Sequence, residues 1–207
     1  MPDRHIRAVS VFCGSRSGND PAYEREATQL GDLLADHGYA IVYGGSNNGL
    51  MGALMRGAAP HNPHVTAVYP EAFSDASARA NIPCAQHFTT ASVMDRKNYM
   101  QTVTQAAITL PGGIGTLDEL LDRACINDTR ALIEREQVLH PVIICNINNY
   151  FNPLAAQMRR AVDDGFMDDT QRRMFHFVRN ARAAFTMLEK LNKAGPVSVA
   201  TLRPRQS

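Results

Sequence analysis

The 207-residue chain has almost no excess of charge of either sign: 21 lysines and arginines stand against 20 acidic residues, a net charge of +1. A protein that holds nucleic acid through its phosphate backbone draws its affinity from a basic surplus, so that class is disfavoured. Long hydrophobic runs are also missing. No apolar stretch approaches the roughly 18 residues of a membrane span, and the opening Met-Pro-Asp-Arg-His-Ile-Arg has none of the hydrophobic core of a secretory signal. Cysteine is sparse and scattered (Cys13, Cys84, Cys125, Cys145), with no Cys-x-x-Cys pair. This argues for reduced thiols in a cytoplasmic protein rather than a disulfide framework or a zinc site. Lysine is scarcest of the charged residues: Lys97, Lys190 and Lys193 are the only three, so Schiff-base chemistry has few candidates.

What is present is an alternation of elements. The length corresponds to one generous domain, large enough to bury roughly 70% of its unfolded surface. Strands are expected at Ala8–Phe12, Tyr39–Tyr43, His64–Tyr69, Ala106–Leu110, Val142–Ile147 and Phe175–Val178. Between them lie helical patterns. One starts behind Asp20-Pro21 and closes at Gly38, and others cover Leu50–Ala59, a stretch opened by Ser92, a stretch ending near Asn127, Leu154–Val162 and Ala181–Leu191. Pro70–Pro83, with Glu71, Asp75 and Arg79, reads as a flap or long loop. Residues 1–194 form the domain in this reading and 195–207 a mobile C-terminal tail. Apolar strands alternating with helices predict an α/β fold, a Rossmann-like, doubly wound parallel sheet covered on both faces. Ligands in such sheets sit beyond the carboxyl ends of the strands. Three glycine-bearing loops fall there, with Gly14 and Ser15, Gly44 and Gly45, and Gly112 through Thr116 as candidate contacts.

Pro111-Gly112-Gly113-Ile114-Gly115-Thr116 is the sharpest feature. Glycines let backbone approach an anion, and the following helix aims unpaired N–H groups and its positive end at it. No lysine follows, so this is not a Walker loop. The competing reading is a plain turn in which Thr116-Leu117-Asp118-Glu119 is a capping box. Gly14-Ser15-Arg16-Ser17-Gly18 lacks the dinucleotide spacing, and strand two ends in Tyr43-Gly44-Gly45 where an NAD enzyme places an acid. Asp95-Arg96-Lys97, taken by spacing alone, reads as a solvated helix face. His61-Asn62-Pro63-His64 reads as a turn, Asp163-Asp164 and Asp168-Asp169 as a solvated turn, and Met51, Leu54 and Met55 as core. Ser15 and Ser46 lack a nucleophile elbow.

Taken in order, Tyr43-Gly44-Gly45, Gly49-Leu50-Met51-Gly52, Arg96-Lys97-x-x-Met100 and Pro111-Gly112-Gly113-Ile114-Gly115-Thr116-x-x-Glu119 resemble the Lonely Guy (LOG) family. These are cytokinin riboside 5′-monophosphate phosphoribohydrolases, often labelled lysine decarboxylases. Cys13-Gly14-Ser15 and Val162-x-x-Gly165-Phe166 fit the same pattern, and the resemblance covers roughly residues 8–190. It implies a Rossmann-like homodimer that hydrolyses a nucleoside 5′-monophosphate, cytokinin-like or AMP-like, to free base and ribose 5-phosphate. Neither a metal nor an organic cofactor is implied. Carried over, the family's catalytic pair falls on Arg96 and Glu119, and its substrate contacts on Arg96, Lys97, Gly112, Gly113, Ile114, Gly115, Thr116, Leu117, Asp118 and Glu119. The chain departs from the pattern at Ser46, Met94, Asp118 and Cys125, and Cys125–Pro141 replaces the family's W-x-Q-L-G-x-H-x-K-P segment. These departures leave the phosphate and sugar end intact and remodel the base end. A non-catalytic nucleotide or phosphorylated-cofactor carrier is the alternative on the same fold, and the retention of both Arg96 and Glu119 favours the enzyme.

Overall fold

The computed structural model describes residues 5–73, 85–129 and 138–198. Its centre is a seven-stranded parallel sheet in the order β4-β3-β2-β1-β5-β7-β8. The strands are β1 (Ala8–Phe12), β2 (Ala40–Tyr43), β3 (Val65–Pro70), β4 (Ala85–Thr90), β5 (Ala106–Thr109), β7 (Val142–Cys145) and β8 (Phe175–Val178). A separate two-residue antiparallel pair joins β6 (Val138–Leu139) to β9 (Val197–Ser198). The helices are α1 (Pro21–Asp36), α2 (Gly49–Ala58), α3 (Val93–Val103), α4 (Ile114–Thr129), α5 (Asn152–Asp163), the single turn α6 (Asp169–Arg172) and α7 (Ala181–Ala194).

Strand alternation sends successive side chains to opposite faces. Val9, Val11, Ile41, Tyr43 and Ile108 pack with Leu30, Leu34, Leu54 and Leu188 of α1, α2 and α7. Phe12, Val42, Val68 and Ala107 turn the other way, onto Met100 of α3. Leu120 of α4 and Met158 of α5 pack with Val142 and Ile144 in a neighbouring cluster on that second side. α1 and α2 touch through their backbones, because a Cβ at Gly31 would stand 1.9 Å from the Leu54 carbonyl oxygen and one at Gly57 equally close to that of Thr28. Leu54 and Met55 are core as expected, whereas Met51 is half-buried and reaches the ligand edge.

Most helix starts obey the side-chain chemistry expected of them. Asp20 accepts from the Ala22 amide ahead of Pro21, and Ser92 accepts from the Asp95 amide. Asp168, read as part of a solvated turn, caps α6 through a reciprocal bond pair with Gln171. The His61–His64 turn holds, with Asn62 at φ 49° and the His61 ring paired to Asp32 at 2.8 Å.

Two pairings correct the sequence reading. β4 fell in a stretch given no strand: Ala-Gln-His-Phe-Thr-Thr is an edge strand whose side chains are largely exposed, so it carries no apolar alternation. β9 falls in the segment read as a tail, where two residues pair with β6 in a ladder too short to leave a pattern. Residues 74–83 of the stretch read as a flap, Cys84, the segment 130–137 and residues 199–207 lie outside the described residues.

Candidate active site

The sheet order places the switch point between β1 and β5, whose following loops leave in opposite directions and open a crevice. A cavity of about 890 Å³ occupies it. The two loops are stitched together: the Gly14 amide donates to the Pro111 carbonyl at 3.0 Å, and a Cβ on Gly112 would meet the Gly14 nitrogen at 2.8 Å and the Thr116 hydroxyl oxygen at 2.1 Å. Gly112 therefore excludes a side chain, and a Cβ at Gly14 would stand tightly at 3.0 Å from the Arg16 carbonyl oxygen. Beyond them Gly113 and Gly115 face open space. α4 begins at Ile114 and its first intrahelical bond runs from the Leu117 amide to the Gly113 carbonyl. The amides of Ile114, Gly115 and Thr116 thus precede that ladder at the helix's positive end, an arrangement suited to a phosphate.

Glu119 lies one turn further along and is buried. Its carboxylate accepts from Arg96 Nη1 at 2.5 Å, and Arg96 Nε donates to the Val68 carbonyl at 2.9 Å. The helix start at Ile114 and this side-chain pairing overturn the capping-box reading of Thr116 and Glu119. Burial pushes the Glu119 carboxyl above its ordinary value, and the Arg96 charge and hydrogen bond only partly offset it. Gly44 makes room for the arginine, since a Cβ there would lie 2.5 Å from Arg96 Nη2. Cys13 is buried close by. Burial, reinforced by the Glu119 charge, holds its thiol far above the usual range, so it stays protonated and is no nucleophile.

Arg96, Glu119, Gly14, Ser15, Gly44, Gly112, Gly113, Ile114, Gly115 and Thr116 all border the cavity. Gly45, Lys97, Leu117 and Asp118 do not border it. Lys97 Nζ donates to Asp118 Oδ1 at 3.0 Å and stands 3.6 Å from Asp122, in the seam between α3 and α4. Burial pulls the ammonium down, but the two carboxylates outweigh it and raise its pKa above the ordinary lysine value. An amine so charged and so turned does not fit a Schiff-base cofactor.

Sequence reasoning passed over several further lining residues, Tyr150, Tyr23 and Arg16 among them. Tyr150 reaches in from the segment after β7 and donates its hydroxyl to the Gly112 carbonyl at 2.6 Å. Tyr23 meets the Tyr150 ring edge-on, with centroids 6.2 Å apart. Arg16 stands on the β1 loop. No motif marks Tyr23 or Tyr150, which only the fold brings to the strand ends, and Arg16 lies in the glycine loop that already offered Gly14 and Ser15. Tyr69, Ala72 and Phe73 form an apolar flank of the same cavity.

A glycine-lined loop and helix start thus lie beside a buried carboxylate–guanidinium pair at the switch point of a parallel α/β sheet. The profile of the family described as "possible lysine decarboxylase" matches residues 51–188. Over 185 residues the chain is 34% identical to the cytokinin riboside 5′-monophosphate phosphoribohydrolase LOG7 of Arabidopsis thaliana, covering 89% of this chain and 82% of the relative. It is 30% identical to LOG of Oryza sativa subsp. japonica, covering 89% and 74%. The chain belongs to this LOG family. Its fold is shared with a Moco carrier protein from Chlamydomonas reinhardtii (17% identity, TM-score 0.66, 92% of this chain and 100% of that one). The molybdenum cofactor binding protein of Rippkaea orientalis is equally similar (17%, TM-score 0.66, 91% and 98%). At these identities the likeness concerns the fold alone.

Proposed function

We propose that this protein hydrolyses the N-glycosidic bond of a nucleoside 5′-monophosphate, cytokinin-like or AMP-like, releasing the free base and ribose 5-phosphate. The observation that carries the reading is the buried Glu119–Arg96 pair set one helical turn beyond the glycine cradle. With the 5′-phosphate at the amides of Ile114–Thr116, the ribose lies between cradle and carboxylate. The bond from C1′ to the base nitrogen breaks with its electron pair going to the base, and the sugar becomes oxocarbenium-like. Glu119 stabilises that charge and takes a proton from the water whose oxygen bonds C1′, while the base nitrogen gains a proton. A carboxyl held above its ordinary value accepts a proton more readily than a free glutamate does. Arg96, planar and permanently charged, orients Glu119 and faces the departing base. The family relationship supports the same assignment.

The reading includes a homodimer in the cytoplasm; a sedimenting mass of one chain would refute the first part. The deciding experiment is product analysis on a panel of nucleoside 5′-monophosphates, including the N6-isopentenyladenosine form, with wild type and Glu119→Gln. Free base and ribose 5-phosphate from wild type but not from the variant are expected. Tight nucleotide binding with no turnover on any member would leave a carrier instead.

A further inference from the structure

The charges around the cavity do not yet account for a phosphate. Among its described lining residues the charged side chains are Arg16, Arg96 and Glu119. Arg96 and Glu119 neutralise each other, and Lys97 is committed to Asp118 and Asp122 outside the lining. The start of α4 offers about half an elementary charge, whereas a phosphomonoester carries about −1.5 to −2 at neutral pH. Arg16 is the remaining cation. It is exposed, and its guanidinium has no hydrogen-bond or ion-pair partner among the described residues.

Its backbone, in contrast, is fixed. The Gly14 amide is bound to Pro111, and the Leu50 amide donates to the Gly14 carbonyl at 3.0 Å. Gly49, at φ 57°, presses so closely on this loop that a Cβ there would stand 2.5 Å from the Arg16 nitrogen. Arg16 is therefore anchored between the starts of α2 and α4 with its side chain unspent, which is how a site keeps a guanidinium available for an incoming anion.

We propose that Arg16 reads the charge of the ligand: its guanidinium pairs with the 5′-phosphate held at α4 and makes the site select phosphorylated over unphosphorylated ribosides. The inference takes its ligand class from the proposed function but does not depend on turnover.

The test is calorimetric binding of ribose 5-phosphate, AMP and adenosine to wild type, Arg16→Gln and Arg16→Lys, at low and high salt, with melting curves as a check on folding. Arg16→Gln is expected to weaken both phosphates by about tenfold or more, to leave adenosine unchanged, and to flatten the salt dependence of phosphate binding. Arg16→Lys should recover part of the loss. Phosphate binding by Arg16→Gln equal to wild type would overturn the proposal, as would an equal loss of adenosine or a wild type that binds neither phosphate. Failure of the hydrolase reading looks different: no base is released, while AMP binding still depends on Arg16.

Discussion

Two ion pairs join α3 to α4, one residue apart on each helix, and they have opposite surroundings. Arg96–Glu119 is closed off at both ends, with side chains 14% and 10% exposed. Lys97–Asp118 has a buried ammonium but a carboxylate that is 51% exposed. Consecutive residues on a helix point about 100° apart, so one pair faces the cavity and the other the seam between the helices. The first pair keeps a carboxylate where burial opposes its charge; the second shares its charge with water and a third group, Asp122. Proximity in sequence therefore does not mean a shared environment here: Arg96–Glu119 borders the cavity and Lys97–Asp118 lies in the seam between α3 and α4.

That contrast can be broken most sharply at Glu119. Glu119→Gln is expected to lower kcat by about 10² to 10⁴, the usual contribution of a positioned acid or base, measured as base release. The stability of the same variant relative to wild type should depend on pH, because the folded protein holds the Glu119 proton more tightly than the unfolded chain does. The sign fixes the pH dependence. The group's contribution to stability is full below the ordinary glutamate value of 4.5 and is lost as pH rises through the raised folded value. The melting temperature of Glu119→Gln relative to wild type should therefore climb with pH across that window and then level off. A parallel pair of curves would show Glu119 to be unperturbed.

Arg96→Ala removes the other half and leaves a buried, unpaired carboxylate, so it should cost about 3 kcal/mol or more in a denaturant titration. Gly44→Ala approaches the same outcome from the backbone, since its Cβ displaces the guanidinium. Activity should fall further than stability in this variant, as judged by kcat against melting temperature. Tyr150→Phe deletes one hydrogen bond to the Gly112 carbonyl and should weaken ribose 5-phosphate binding by about 1 kcal/mol. The smallest effect belongs to Lys97→Met, which keeps the buried stem and releases Asp118 to solvent. Its cost should be about 1 kcal/mol or less with kcat nearly unchanged. A large kcat loss in Lys97→Met would join the two pairs functionally and erase the distinction.

The parts of the fold written in local chemistry were readable before the structure. Asp20-Pro21 and Ser92 start their helices as their side chains dictate, and the apolar runs ending in glycine loops are the inner strands. β4 escaped because an exposed edge strand needs no apolar face, and β6–β9 because two backbone pairs leave no period. At the site, the glycine loop was legible since close approach admits no other residue at Gly112 and leaves little room at Gly14. Spacing alone did not separate Arg96 from Lys97: which of them faces the cavity depends on the phase of α3 against α4. Tyr150 was invisible for a related reason, because it reaches the site from a loop with no motif of its own, and Arg16 was passed over on a glycine loop whose candidate contacts were Gly14 and Ser15.

The aromatic rim of the cavity has a practical consequence. The chain contains no tryptophan and six tyrosines, and three of them, Tyr23, Tyr69 and Tyr150, border the ligand space. Its ultraviolet emission thus comes from tyrosine alone, with half of the emitters at the site. An unlabelled sample becomes an optical reporter of its own occupancy, and a nucleobase settling beside those rings should register as quenching without any introduced dye.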